Sequence, residues 1–206
     1  MGTKMSEQDD TPKRGRPQTL DRDTVLKAAL MCYWTDGPTR VSIGQICQAA
    51  RVSKPSLYRE FSSDDGLKDA VLDLYREMVL VPFRSIMTTT DGFRQQVEAL
   101  IAFTIQDRQP LGIPSGCLQV AMRTHKEDLG PIASEKVALL RFETLETYER
   151  WIEGAKSRGE FKASTSSKAA ALFCDAQNVG AMRMQREGVP SETIGQTLKL
   201  AFSALV

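Results

Sequence analysis

The feature that most constrains this 206-residue chain is helical periodicity along almost its whole length. From Asp21 to Phe202, apolar residues recur at the spacing of one helix face, and no segment alternates as a half-buried strand does. Capping and breaking residues separate the periodic stretches. The pattern predicts an all-α fold without internal repeats. The nine helices are predicted at 21–34, 42–50, 53–61, 65–78, 93–108, 117–126, 132–158, 164–187 and 191–202.

The first residues differ from the rest because they lack apolar periodicity and contain Pro12, Gly15 and Pro17. We interpret residues 1–19 as a flexible basic arm. Two domains are expected to follow it, a small head over 20–66 and a larger body over 67–206.

Composition excludes several classes of protein. No apolar run is long enough for a membrane span, and the polar first ten residues do not resemble a signal peptide, so we expect a cytoplasmic protein without membrane contacts. The four cysteines lie in apolar helical patterns and His125 is the single histidine, so we expect buried free thiols, no metal site and no cofactor. No nucleophile–base set or phosphate-binding glycine loop indicates an enzyme.

Charge is distributed unevenly along the chain. Between Lys13 and Arg59, basic residues outnumber acidic ones by nine to three, whereas residues 60–206 hold 17 basic and 20 acidic residues. A basic first quarter on a mildly acidic body is typical of a protein that binds a polyanion at one end.

The segment over residues 42–61 predicts what that polyanion is. Two short helices joined by a tight turn form a helix-turn-helix, whose second helix can lie in the major groove of DNA. Leu57 and Phe61, four residues apart, would pack inward, while Lys54, Ser56 and Arg59 would face outward. The sequence therefore predicts binding to double-stranded DNA.

This segment also resembles a known family. The sequence SIGQI at 42–46, followed by AARVSKPSLYREF at 49–61 and by Leu67, is similar to the signature of TetR-family repressors. The resemblance implies a DNA-binding domain of three helices and a six-helix body for ligand binding and dimerisation. It also implies that the last two helices form a four-helix bundle with those of a second copy.

The resemblance further implies roles for individual residues in DNA binding. Ser42 would cap a helix whose amides meet a phosphate, and Tyr58 would reach the DNA backbone with its hydroxyl. The Gly-Arg-Pro of the arm suits a narrow A·T minor groove. The complete set predicted to contact DNA is Arg14, Arg16, Ser42, Lys54, Pro55, Ser56, Tyr58 and Arg59.

Three residues depart from the family pattern. Arg51 stands where a turn glycine is usual, so that either the turn differs or backbone strain is accepted. Asp64 stands where a lysine usually contacts phosphate, and Glu60 replaces a neutral or basic residue. Both acids are expected to face the DNA and to weaken backbone binding, for which the basic arm would compensate.

The body is predicted to sense a ligand and to dimerise. Residues that could line a cavity for an apolar or aromatic effector are Met78, Phe103, Cys117, Met122, Arg123, His125, Tyr148, Trp151 and Phe173. A filled hydrophobic core explains the apolar ones equally well. Residues expected at a homodimer interface are Leu172, Ala176, Val179, Met182, Ile194, Leu198 and Phe202.

These patterns favour a ligand-responsive repressor that binds a palindromic operator as a homodimer. The alternative is a DNA-binding regulator without an effector, or one controlled by a protein partner, and a closed, filled body would favour it. A small helical enzyme is disfavoured. The sequence does not identify the effector, the operator or the regulated genes.

Overall fold

The computed structural model describes residues 20–107, 110 and 112–205, and every regular element in these residues is helical. The predicted arm, with Arg14 and Arg16, lies outside the described residues. The helices are α1 (Arg22–Asp36), α2 (Ile43–Ala50), α3 (Lys54–Phe61), α4 (Asp64–Tyr75), a π segment (Arg76–Leu80), α5 (Val81–Ser85), α6 (Phe93–Ile105), α7 (Leu118–Thr124), α8 (Pro131–Ser157), α9 (Ser167–Arg186) and α10 (Ser191–Phe202).

Helix α4, the π segment and α5 form one continuous rod, so the described chain has nine helices, as predicted. The fourth predicted helix was too short, because it continues through the π segment to Ser85. Pro82 has no amide to donate within the helix. The amide of Val81 instead bonds the Arg76 carbonyl, five residues back, and this wider turn carries the helix past the proline.

Two apolar clusters form the core. The first joins α1–α3 to α4, α7 and the first half of α8, around Trp34, Leu57, Leu67 and Met122. The second fills the far end of the body between α5, α6, α8, α9 and α10, around Phe93, Trp151 and Ile194. The head is therefore packed on the body by a shared core that crosses residue 66.

Candidate DNA interface and effector cavity

Side-chain caps and one turn fix the geometry of α2 and α3. Ser42 and Gln45 cap α2 reciprocally, since the Ser42 hydroxyl accepts from the Gln45 amide and the Gln45 side chain accepts from the Ser42 amide. Helix α2 ends at Arg51, which adopts the left-handed conformation with φ 55°. The family turn is thus kept and arginine accepts the strain, which answers the question raised by the missing glycine. Ser53 then caps α3.

Helix α3 presents a polar surface to solvent. Leu57 and Phe61 are buried, as predicted. Lys54, Pro55, Tyr58 and Arg59 are exposed and Ser56 is half-buried. The second helix of the motif thus offers two cations and hydroxyl groups at its outer face, which is the arrangement needed to enter a groove of DNA.

The two acidic residues expected to weaken DNA binding are both paired within the chain. Arg22 contacts Glu60 at 3.1 Å, from Nε to Oε1. Asp64 accepts from the Tyr33 hydroxyl at 2.8 Å and from Lys68 Nζ at 2.5 Å. Burial, and then the Asp64 charge, raise the pKa of Tyr33, which keeps its hydroxyl protonated as the donor. The acids therefore have cationic partners of their own.

Side-chain contacts near one loop join α1 to the body and α4 to that loop. Trp34 Nε1 of α1 donates to the Gly116 carbonyl at 3.3 Å, and Arg186 of α9 donates to the Trp34 carbonyl at 2.7 Å. The Tyr75 hydroxyl of α4 contacts Cys117 Sγ at 3.0 Å, and the rings of Trp34 and Tyr75 meet edge to face. Gly116 and Cys117 of this loop are thus in direct contact with α1 and α4.

A small enclosed cavity lies directly behind this junction. Its volume is ≈ 40 Å³, and it is bounded by the rod of α4 and α5 and by α6, α7, α8 and α9. Its lining includes apolar side chains such as Val79, Phe83 and Phe103, together with several polar ones. The polar lining residues are Thr104, Gln119, Arg123, Thr144, Asp175 and Asn178.

The cavity contains three of the nine residues predicted to bind a ligand, namely Phe103, Cys117 and Arg123. Burial raises the pKa of the Cys117 thiol, so the side chain stays neutral there. The polar lining was largely missed, since Gln119, Asp175 and Asn178 lie on helices whose spacing says nothing about what they face. Arg123, four residues after Gln119, was the available signal.

The other six lie outside this cavity. Met78 points to solvent from the π segment with 47% of its surface exposed, since the wider turn directs it away from the core. His125 is exposed beside Asp128, in a groove between head and body. Met122, Tyr148 and Trp151 are filled core, with Trp151 donating to Gln96, and Phe173 packs on Phe202.

The residues predicted at a dimer interface separate into three groups. Leu172 and Ala176 are exposed on α9. Val179 and Met182 are half-buried and line the cavity. Ile194, Leu198 and Phe202 are buried in the second core cluster, because the apolar stripe of α10 packs against its own protomer.

A helix-turn-helix with a cationic second helix, fixed on an all-helical body, defines a DNA-binding transcriptional regulator. Among the described residues, no helix is both long and apolar enough to cross a membrane, and no group of side chains could hold a metal ion.

Comparison with known proteins narrows this class to one family. Residues 25–71 match the family described as "Bacterial regulatory proteins, tetR family". The HTH-type transcriptional repressor ComR of Escherichia coli K12 is 27% identical over 201 residues, covering 91% of both chains. Residues 25–71 therefore match the DNA-binding region of TetR-family regulators, and the chain as a whole is similar to a repressor of this type.

Solved structures agree with this fold. A cysteine mutant of the TetR-family regulator CifR, complexed with 26-bp double-strand operator DNA, has a TM-score of 0.80 at 25% identity, covering 92% of this chain and 99% of that one. A TetR-family regulator from Agrobacterium tumefaciens has a TM-score of 0.80 at 17% identity, covering 89% and 96%.

Proposed function

We propose that this regulator is a ligand-responsive repressor that binds a palindromic operator as a homodimer, through a head over residues 20–66. The exposed face of α3 carries the proposal, because its cations and hydroxyls stand on a rigid, doubly capped motif. In this proposal Lys54, Pro55 and Ser56 approach base edges, and Tyr58 and Arg59 reach phosphates.

The first turn of α2 would bind a phosphate. Ser42 is exposed, and amides at the start of a helix are suitable donors to an anion. Arg14 and Arg16 of the arm would enter the adjacent minor groove. The CifR complex with operator DNA supports this geometry, since that protein has the same fold.

The homodimer would form through the outward faces of α9 and α10. On α9, Ala169, Leu172 and Ala176 form an exposed stripe of small and apolar residues. On α10, Leu200 has 77% of its surface exposed. A two-fold axis would bury this patch twice, so the interface depends on Leu172, Ala176 and Leu200 rather than on the buried stripe of α10.

Ligand response would follow from the position of the cavity. Its wall includes Cys117, which contacts Tyr75, and Gly116, whose carbonyl accepts from Trp34 of the head. A ligand that favours a widened cavity would shift the spacing of the two heads and weaken operator binding.

A regulator without an effector is the second candidate function. The small size of the cavity, ≈ 40 Å³, favours it, since that space holds only about three water molecules. In that case the body serves for dimerisation alone.

The test begins by selecting duplexes from a random pool with the purified full-length chain. The selected duplex is then used in fluorescence-anisotropy titrations over a range of salt concentrations, and light scattering gives the mass of the free protein. We expect a dimer, a palindromic site, and for Lys54→Ala a loss of base preference together with a smaller salt slope. Lys162→Ala, an exposed lysine between α8 and α9, is the matched control. A monomer that binds no duplex at low salt would refute the proposal.

A further inference from the structure

We propose that the effector is a small organic monoanion, a carboxylate on a phenyl-sized apolar group, held by Arg123 and Gln119 of α7. This inference rests on the ligand-responsive function proposed above and adds the chemistry of the ligand. It follows from the charge, the hydrogen-bond donors and the shape of the cavity.

The charge around Asp175 is unbalanced. Its Oδ2 lies 3.6 Å from Arg123 Nη1 and 3.5 Å from Arg141 Nη2, so one carboxylate stands between two guanidinium groups. Both distances exceed those of good charge-assisted hydrogen bonds. Arg141 Nε is buried without a partner. Arg123 and Asp175 line the cavity and Arg141 does not, but because Asp175 is shared between the two arginines, the cluster of these three side chains carries one net positive charge.

Gln119 supplies a second donor at the same wall. It lies one helical turn before Arg123, so the two side chains emerge on one face of α7. Only 7% of its surface is exposed, and the residue lines the cavity. Buried primary amides are normally paired. A carboxylate that accepts from both Arg123 and Gln119 would pair with the amide and balance the charge together.

The apolar lining selects the apolar part of the ligand. The Phe83 and Phe103 rings lie 5.6 Å apart in a tilted arrangement, and Val79 and Leu80 of the π segment continue this surface. An aromatic ring suits such a wall. Because the cavity is ≈ 40 Å³, a ring enters only if the wall moves, and the moving wall includes the rod that leads to the head.

The experiment is isothermal titration calorimetry of the full-length protein with sodium benzoate and sodium phenylacetate, each compared with its neutral amide. We expect the acids to bind about tenfold or more tightly than benzamide and phenylacetamide, because only the acids pair with the excess charge. Arg123→Gln should abolish this preference. Asp175→Asn should strengthen acid binding, because it removes the competing carboxylate. Arg150→Gln, on the exposed face of α8, is the control and should change neither the affinity for the acids nor their preference over the amides.

Three results would overturn the inference: equal affinity for acids and amides, no acid binding at millimolar concentrations, or weaker acid binding by Asp175→Asn. If Arg123→Gln fails to fold, the acid–amide comparison and Asp175→Asn still decide. Operator binding is measured separately by anisotropy. A wild-type protein that binds its duplex but no acid refutes this inference alone, whereas one that binds no duplex refutes the proposed function.

Discussion

The head and the body begin their helices in different ways. In the head, α1, α2, α3 and α4 are each capped by the residue just before them, which is Asp21, Ser42, Ser53 or Ser63. In the body, α6, α7, α8 and α10 follow Gly92, Cys117, Gly130 and Pro190, none of which provides a side-chain cap.

Two of these body helices are capped from far along the chain. Glu160 accepts from the Phe93 amide at 3.1 Å, and Asp65 accepts from the Ile132 and Ala133 amides at 2.8 and 3.1 Å. The head helices are therefore capped by local sequence, as is α9 by Ser166, whereas α6 and α8 of the body depend on tertiary contacts. Each prediction below tests this contrast, starting from the largest expected effect.

Gly66→Ala should be the most damaging single change. A Cβ at position 66 would lie 2.2 Å from the Phe61 carbonyl oxygen, and that oxygen belongs to backbone that cannot easily move. We expect a loss of about 3 kcal/mol in the free energy of unfolding, with operator binding weakened as α3 shifts. Urea unfolding followed by circular dichroism measures it.

Gly44→Ala is the matched control within the same head. Its Cβ would meet nothing closer than Ser42 Oγ at 3.7 Å, an ordinary contact, and alanine is the better helix former. If both variants lost the same stability, the tight α3–α4 junction would not be what restricts position 66.

Asp65→Ala should cost about 2 kcal/mol, because the carboxylate accepts two amides and carries a negative charge to the start of a long helix. Ser53→Ala, which removes a local cap, should cost about 1 kcal/mol. Hydrogen exchange adds a specific signature, since the amides of Ile132 and Ala133 should exchange faster in Asp65→Ala. Unchanged protection at these amides would contradict the long-range cap.

The same contrast explains what the sequence could predict. Capping serines and the 57/61 apolar pair are local signals, so the helix-turn-helix was found almost to the residue. A serine at a helix start is not always a cap, since Ser191 is the first residue of α10 and Pro190 holds the capping position. The predicted helix at 164–187 begins only at Ser167, after the Ser166 cap.

Candidate site residues follow the same rule. The outward residues of α3 were predicted from periodicity, because a short helix on a surface has one buried face. In the body every helix has neighbours on several sides, so an apolar residue such as Met122 or Tyr148 fills core, and a polar one such as Gln119 faces the cavity. Periodicity does not distinguish these neighbours, and the π turn at Arg76–Leu80 rotates Met78 away from them.

Glu143→Gln tests the ion pairs between α8 and the helical rod that contains the π segment. Glu143 of α8 contacts Arg84 at 2.7 Å and Arg76 at 3.4 Å, and these arginines lie in α5 and at the start of the π segment. Burial alone would raise its pKa, but the Arg84 hydrogen bond and the charges of both arginines outweigh it, so the pKa lies below its ordinary value of 4.5. Removing the charge at neutral pH should cost about 1.5 kcal/mol.

The pH dependence gives this prediction its sign. A carboxyl group whose pKa is lowered by folding stabilises the folded state fully at a pH above its ordinary pKa. This contribution is lost as the pH falls through the pKa of the folded state. The stability difference between wild type and Glu143→Gln should therefore shrink below about pH 4.5. Glu149→Gln, exposed on the same helix, should show no such change. A stability difference between wild type and Glu143→Gln that grows at acidic pH would contradict a stabilising ion pair.

Arg51→Gly should have the smallest effect, and an opposite one. The left-handed conformation costs arginine about 1 kcal/mol, and glycine avoids this cost. Glycine also has more freedom in the unfolded chain, which offsets part of the benefit, so we expect the free energy of unfolding to rise by about 0.5 kcal/mol. Arg51→Ala keeps the strain while removing the same charge, and both variants should lose operator affinity equally. The urea midpoints of the two variants measure the strain alone. An Arg51→Gly protein no more stable than Arg51→Ala would mean that the left-handed conformation at residue 51 carries no strain.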